Sequence, residues 1–174
     1  MDREMDQGHR CVISDLEALH PDLVRRAIWF RMRKLTPDRQ AGMDDFFRKA
    51  SLARDLRRTL KPSDRSWWYE VVPSDQEESA AAACLAERDG LFFLAALGAS
   101  PAFRAKRLEK TLLMKLQSIA REEGGQAIYL YALSPDLFED LGAVSPEQGD
   151  ERADAFRSIL SVNTEDGKIL KFFL

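Results

Sequence analysis

Arg104, Lys106, Arg107 and Lys110 crowd into a short stretch directly after Ser100-Pro101. Proline suits a first helical position, so these four side chains are expected on the first turns of a helix that opens at Pro101. The residues before it, LFFLAALGA over 91–99, read as an apolar strand. A strand feeding a cation-rich helix start is a place to hold an anion, because the unpaired first-turn N–H groups and the helix dipole both face it. The same dipole disfavours cations there when no anion is present, so the cluster is either an anion site or a solvated helix face under mild frustration. The glycines that usually let a phosphate reach backbone are missing from this corner.

A second set of residues could move protons. Glu70 lies on an aromatic segment (SWWYEVV, 66–72), Glu87 precedes the turn Asp89-Gly90, and Tyr129 and Tyr131 share the segment AIYLYA. A carboxylate can take a proton from an amine and a phenol can give one to a leaving group. Glu70 is the candidate base and Tyr131 the candidate acid, provided the Tyr131 side chain faces the junction between the two central strands. Tyrosine in a strand also serves simply as packing. Cys11 and Cys84 stand in apolar settings and read as reduced, buried thiols. With His9 and His20 alone, and no close Cys/His/Asp/Glu spacing, no metal site is expected.

The elements that must position these groups follow from spacing. Residues 10–14 (RCVIS) suit a short first strand. His20-Pro21-Asp22 introduces a helix with Leu23, Ala27, Phe30 and Val24, Ile28, Leu35 on adjoining apolar stripes. Thr36-Pro37-Asp38 restarts a helix carrying Met43, Phe46, Phe47, Ala50, Ala53, Leu56 and Leu60, which stops before Pro62. A strand at 66–72 is closed by Pro73, and residues 80–87 form the next strand, joined through Asp89-Gly90 as a hairpin to a run at 91–96 that lacks alternation and so is buried on both faces. The helix from Pro101 sets Leu108, Leu112, Leu113, Leu116, Ile119 and Ala120 on one side and ends at Gly124-Gly125. A strand at 127–132 leads to a short segment from Ser134 to Gly142. Residues 156–162 and 168–173 flank Asp166-Gly167 as a closing hairpin.

The order β-α-α-β-β-β-α-β-α-β-β, together with the cation-bearing turn at 104–109 and the segment 134–142, resembles the GNAT N-acetyltransferase superfamily. The resemblance spans nearly the whole chain and rests mainly on residues 80–142. It implies an α+β fold, a mixed and mostly antiparallel central sheet flanked by helices. It also implies acetyl-CoA or CoA as cofactor, with the acyl arm lying where the fourth and fifth strands splay. Leu97, Gly98 and Ala99 would then form the bulge of the fourth strand and offer free backbone groups to the pantetheine. The family's pyrophosphate loop (Arg or Gln, two residues, Gly, one residue, Gly or Ala) falls on Arg104, Ala105, Lys106, Arg107, Leu108 and Glu109, with Lys110 and Ser134 nearby. Only Arg104 keeps the pattern. Arg107 brings a long side chain to the first glycine position, and Glu109 brings a charge that opposes a phosphate by ~1 kcal/mol or more. The family's acid, a tyrosine four residues before a glycine, corresponds to Phe138 before Gly142, and phenylalanine has no proton to give.

Composition bounds the rest. The chain has 174 residues, 45% apolar and 32% charged, with net charge -3. These figures suit one domain over 1–174 with a short flexible N-terminal tail of about nine residues. No field draws the molecule to nucleic acid, although Arg25, Arg26, Arg31, Arg33 and Lys34, with Arg54, Arg57, Arg58 and Lys61, form a basic run on segments that also carry acids. No run reaches the ~20 apolar residues that span a bilayer. The N-terminus has no apolar signal core, so a cytoplasmic protein is expected. Two functions fit: a GNAT-fold protein that has lost transfer chemistry and binds a protein partner or regulatory ligand, or an active acyl-CoA-dependent enzyme acting on a small amine.

Overall fold

The computed structural model describes residues 30–160 and 167–174. Strand β1 (Phe30–Lys34) pairs antiparallel with β2 (Arg65–Pro73), β2 with β3 (Ala81–Arg88), and β3 with β4 (Leu91–Ala99). Asp89 and Gly90 both take positive φ, which gives the β3–β4 hairpin the left-handed turn that matches strand twist. Strand β5 (Ala127–Ala132) runs parallel to β4, and β6 (Lys168–Phe173) closes the six-stranded sheet antiparallel to β5. The sheet is mixed and mostly antiparallel, as the family resemblance implied.

Helices cover both faces. α1 (Pro37–Ala41) and α2 (Asp44–Ala50) follow β1, α3 (Leu108–Glu122) joins β4 to β5, and α4 (Pro135–Asp140) and α5 (Glu151–Leu160) precede β6. On one face Leu112, Leu116 and Ile119 of α3 pack on Leu85, Phe92, Leu94 and Leu130. On the other, Phe47 of α2 and Phe156 and Ile159 of α5 pack with Cys84, Phe93, Tyr129 and Tyr131. Trp67 and Trp68 diverge to these two faces, Trp67 stacking on Phe92 at 6.1 Å. α3 ends as expected: Gly124 takes φ +82, its N–H bonds the Arg121 carbonyl, and the Gly125 N–H reaches Ala120 at 2.7 Å.

Four expectations are corrected. Phe30 belongs to a strand, and the rest of the helix expected from Leu23 lies outside the described residues, as do the strand at 10–14, Cys11 and the tail. The long helix expected up to Pro62 is instead α1 and α2 followed by an extended chain over 51–56 and a 3-10 turn (Arg57–Thr59), because the backbone of 51–56 finds strand partners on β4 and β5. Residues 156–160 are the end of α5, with Ala153, Phe156, Ile159 and Leu160 buried at helical spacing, so this part of the strand expected over 156–162 is helix, and the rest of it, with Asp166 of the expected turn, lies outside the described residues. The bulge of β4 falls at Ala95, between the pairs Cys84–Ala96 and Leu85–Leu94, while Leu97, Gly98 and Ala99 pair regularly with Ala83, Ala82 and Ala81. Gly98 is needed for close approach instead: a Cβ there would stand 3.1 Å from the Ala50 carbonyl and 3.0 Å from the Phe46 ring.

Candidate functional site

β4 and β5 pair at only two positions, Phe92–Ile128 and Phe93–Tyr129, and then separate. This is the splay in which the resemblance places an acyl arm. Here residues 51–56 occupy it. Leu52 N–H donates to the Leu97 carbonyl at 2.9 Å and Leu56 N–H to the Ala95 carbonyl at 2.7 Å. On the other side Arg54 N–H donates to Tyr131 O at 2.9 Å, and Leu133 N–H donates to Leu52 O at 3.3 Å. Ser51 and Ala53 form antiparallel bridges to Gly98 and Ala132. Leu52, Ala53 and Leu56 are buried in the wedge. The β4 carbonyls that a pantetheine amide would need are already satisfied, so the splay as folded does not fit that group.

The cation cluster sits on two elements, not one. Arg104, Ala105 and Lys106 belong to a 3-10 helix (Pro101–Lys106), and α3 proper begins at Leu108. Arg107 joins them in the left-handed conformation, φ +52 and ψ +40. That backbone favours glycine, the residue the resemblance expects there, and for an arginine it costs about 1–2 kcal/mol. Arg104, Lys106, Arg107 and Lys110 are exposed, and among the described residues none forms an ion pair. Leu108 and Glu109 are buried. The Glu109 carboxylate stands in the first turn of α3, where it complements the dipole that a phosphate would otherwise use. Arg107 and Lys110 border a small cavity of about 190 Å³ with Met114, Asp140, Leu141 and Phe172. Ser134 is the exposed N-cap residue of α4, and its hydroxyl makes no capping bond.

The proton-transfer candidates are not brought together. Glu70 is 0% exposed, and its carboxylate accepts from Arg33 Nε at 2.8 Å, from Arg39 Nη2 at 2.8 Å and from the Ser79 hydroxyl. Burial alone would raise its pKa, but the bonds from Arg39, Ser79 and Arg33 outweigh it and hold the group below the usual carboxylate range. Both oxygens are engaged with the two guanidinium groups. Glu87 is likewise held ionised by Arg65 and the Gly90 N–H. Tyr131 is 2% exposed, and its hydroxyl finds no hydrogen-bond partner among the described residues. The Arg54 guanidinium lies 5.6 Å from its ring centre. Tyr129 donates instead to Asp150, and burial followed by that carboxylate pushes its pKa up to about 12. Phe138 is fully buried, closing the core beneath α4.

Sequence spacing had pointed to Arg104–Lys110, Glu70 and Tyr131, but missed the wedge. Residues 51–56 continue a helical apolar pattern, and no local residue signals that their backbone partners lie on two distant strands. Among the described residues no group of three His, Cys, Asp or Glu side chains could hold a metal ion, and no helix is long and apolar enough to cross a membrane. Cys84 is a free, buried thiol whose pKa burial raises.

A mixed sheet with a bulged fourth strand, splayed from a parallel fifth, is the architecture of the GNAT acetyltransferases. The chain has that fold. It resembles a GNAT-family acetyltransferase from Staphylococcus aureus Mu50, with TM-score 0.64 and 14% identity over 84% of this chain and 99% of that one. A Mycobacterium tuberculosis protein in complex with CoA superposes with TM-score 0.60 and 12% identity, covering 82% of this chain and 98% of the other. N-acetylglutamate synthase from Neisseria gonorrhoeae, complexed with coenzyme A and N-acetyl-glutamate, gives TM-score 0.61 and 16% identity over 86% of this chain and 36% of that longer one. Compared by sequence, the chain matches no family model and no curated protein.

Proposed function

We propose that this chain is a GNAT-fold protein that does not transfer acyl groups through its splay and acts by binding a protein partner or a regulatory ligand. The observation that carries this reading is the backbone bonding of residues 51–56 to both β4 and β5. Three further departures support it. Phe138 stands where the family's acid would be, Glu70 is committed to Arg33 and Arg39, and the phosphate-facing turn presents Arg107 and Glu109 in place of glycines. A protein partner is favoured over nucleic acid because Arg33 is neutralised by Glu70 and Glu77, Arg57 by Asp55 and Asp44, and Arg58 faces Asp44.

Calorimetric titration of the purified chain with acetyl-CoA and with free CoA tests it. No heat of binding is expected up to millimolar ligand. Micromolar affinity, about -8 kcal/mol, would overturn the reading. It would favour the second one, an acyl-CoA-dependent N-acyltransferase acting on a small amine. The observation in favour of that alternative is the set of four exposed cations at the entrance of α3, none of which forms an ion pair among the described residues. It requires residues 51–56 to leave the splay, which would appear as lost amide protection at Leu52 and Leu56 on adding acetyl-CoA.

A further inference from the structure

On the α5 side of the sheet, a buried charge cluster lies beside a cleft that the splay does not use. Asp150 sits at the start of α5. Its Oδ1 accepts from the N–H groups of Arg152 at 3.1 Å and Ala153 at 3.0 Å, and both its oxygens lie 3.0 Å from the Tyr129 hydroxyl. Lys171 of β6, only 7% exposed, donates to Oδ2 at 2.7 Å. The Asp150 charge is therefore shared among the helix start, a phenol and an ammonium. Among the described residues that ammonium has no other hydrogen-bond partner. A buried lysine with unused donors is costly unless something else meets them.

Something else has room to do so. Lys171 lines a cleft of about 410 Å³ with Gln126, Glu147, Gln148, Arg152 and Phe173. That volume falls in the range of small-molecule sites. Arg152 and Glu147 both stand exposed on it, yet among the described residues neither forms an ion pair, with the other or elsewhere. Phe173 is 60% exposed and its ring lies 4.7 Å from the Lys171 ammonium. A cleft displaying unpaired charges of both signs, beside an uncovered aromatic ring, is complementary to a ligand that carries both signs and an apolar part. We propose that this cleft binds a small zwitterion of the α-amino acid type. Lys171 and Arg152 take its carboxylate, Glu147 takes its ammonium, and Phe173 takes its side chain. The site is separate from the cavity beside Arg107 and Lys110, which borders Phe172 on the opposite face of the sheet. Binding here is independent of whether the splay is used.

The test uses the whole chain and three probes that share one ring: L-phenylalanine, phenylpropionate without the amine, and phenethylamine without the carboxylate. Calorimetry or NMR titration should show phenylalanine binding about tenfold or more tighter than either single-charge analogue, the size of one charge-assisted contact. Arg152→Ala should weaken phenylalanine and phenylpropionate about tenfold and leave phenethylamine unchanged, while Glu147→Gln should weaken phenylalanine and phenethylamine about tenfold and leave phenylpropionate unchanged. Lys171→Met should follow Arg152→Ala. Because Lys171 is a buried partner of Asp150, the two exposed variants carry the test if that one fails to fold. Absence of saturable phenylalanine binding, a single-charge analogue that binds as tightly as phenylalanine, or a variant that weakens all three probes alike overturns the proposal.

Discussion

Leu52 donates its backbone N–H to the Leu97 carbonyl at 2.9 Å across the gap between β4 and β5. Through that bond and its companions, the chain supplies from its own length the extended partner that the splayed strands lack. An unpaired carbonyl at the end of a buried strand is expensive, and the wedge removes two of them on β4.

If the wedge is a fixed part of the core, it carries stability. Leu56 is 1% exposed, so Leu56→Ala should cost about 2–5 kcal/mol in urea unfolding. Amides of Leu52, Arg54 and Leu56 should exchange as slowly as those of the central strands. A cost below ~1 kcal/mol with fast exchange would mean the segment is only loosely seated.

Arg107 pays a backbone cost with no described ion pair in return. Replacing it with glycine should raise stability by roughly 0.5–1 kcal/mol, the left-handed strain less the extra chain entropy. For a chain of this size that is a Tm increase of about 1–4 °C. An unchanged or lower Tm would show that the side chain holds contacts which offset the strain. Combining Arg107→Gly with Glu109→Gly should still give no CoA affinity while residues 51–56 stay in place.

Glu70 ties β1, α1 and β2 together through Arg33 and Arg39. Glu70→Gln should therefore cost about 3 kcal/mol or more, since it leaves two guanidiniums facing a neutral amide. The pH dependence has a definite sign. The folded pKa lies below the ordinary value of 4.5, so the unfolded chain takes up the proton first as pH falls. This contribution is fully present above pH 4.5 and is lost as pH drops through the lower folded value. The Gln variant should lose that part of the acid limb. An identical acid limb in both proteins would remove Glu70 as its source.

Tyr131 carries a buried hydroxyl without a described partner. Tyr131→Phe should therefore be neutral, or stabilising by up to about 1 kcal/mol, because an unsatisfied polar group is removed at almost constant shape. A loss above ~1 kcal/mol would reveal a hydrogen bond, and a selective loss of acyl transfer with stability intact would restore the residue as an acid.

Legibility followed the range of the signals. The β3–β4 hairpin was readable from Asp89-Gly90, β4 from its unbroken apolar run, and α3 from Leu112, Leu116 and Ile119 with the terminal Gly124-Gly125 pair. These depend on near neighbours. The wedge did not show, because Ala50, Ala53 and Leu56 extend the spacing of Phe46 and Phe47 while their backbone is claimed by residues far along the chain. Residues 156–160 pass for a strand before Asp166-Gly167, although Phe156, Ile159 and Leu160 are spaced for a helix. Gly98 suggested a bulge, yet it serves the approach of α2, and the real bulge at Ala95 has no residue to announce it. The candidate cations were found from sequence; the Tyr129–Asp150–Lys171 cluster was not, since only the packing of α5 against β5 and β6 brings it together.

The wedge also bears on how the molecule assembles. Residues 51–56 cannot take their place until β4 and β5, both synthesised much later, are side by side, and until the wedge arrives those strands share two paired positions and the helices packed across them. Closing such long loops before any contact rewards them is the slow part of building a sheet. The centre of this sheet is thus expected to form last, as a single concerted step, after the β2–β4 meander and α3 have already condensed.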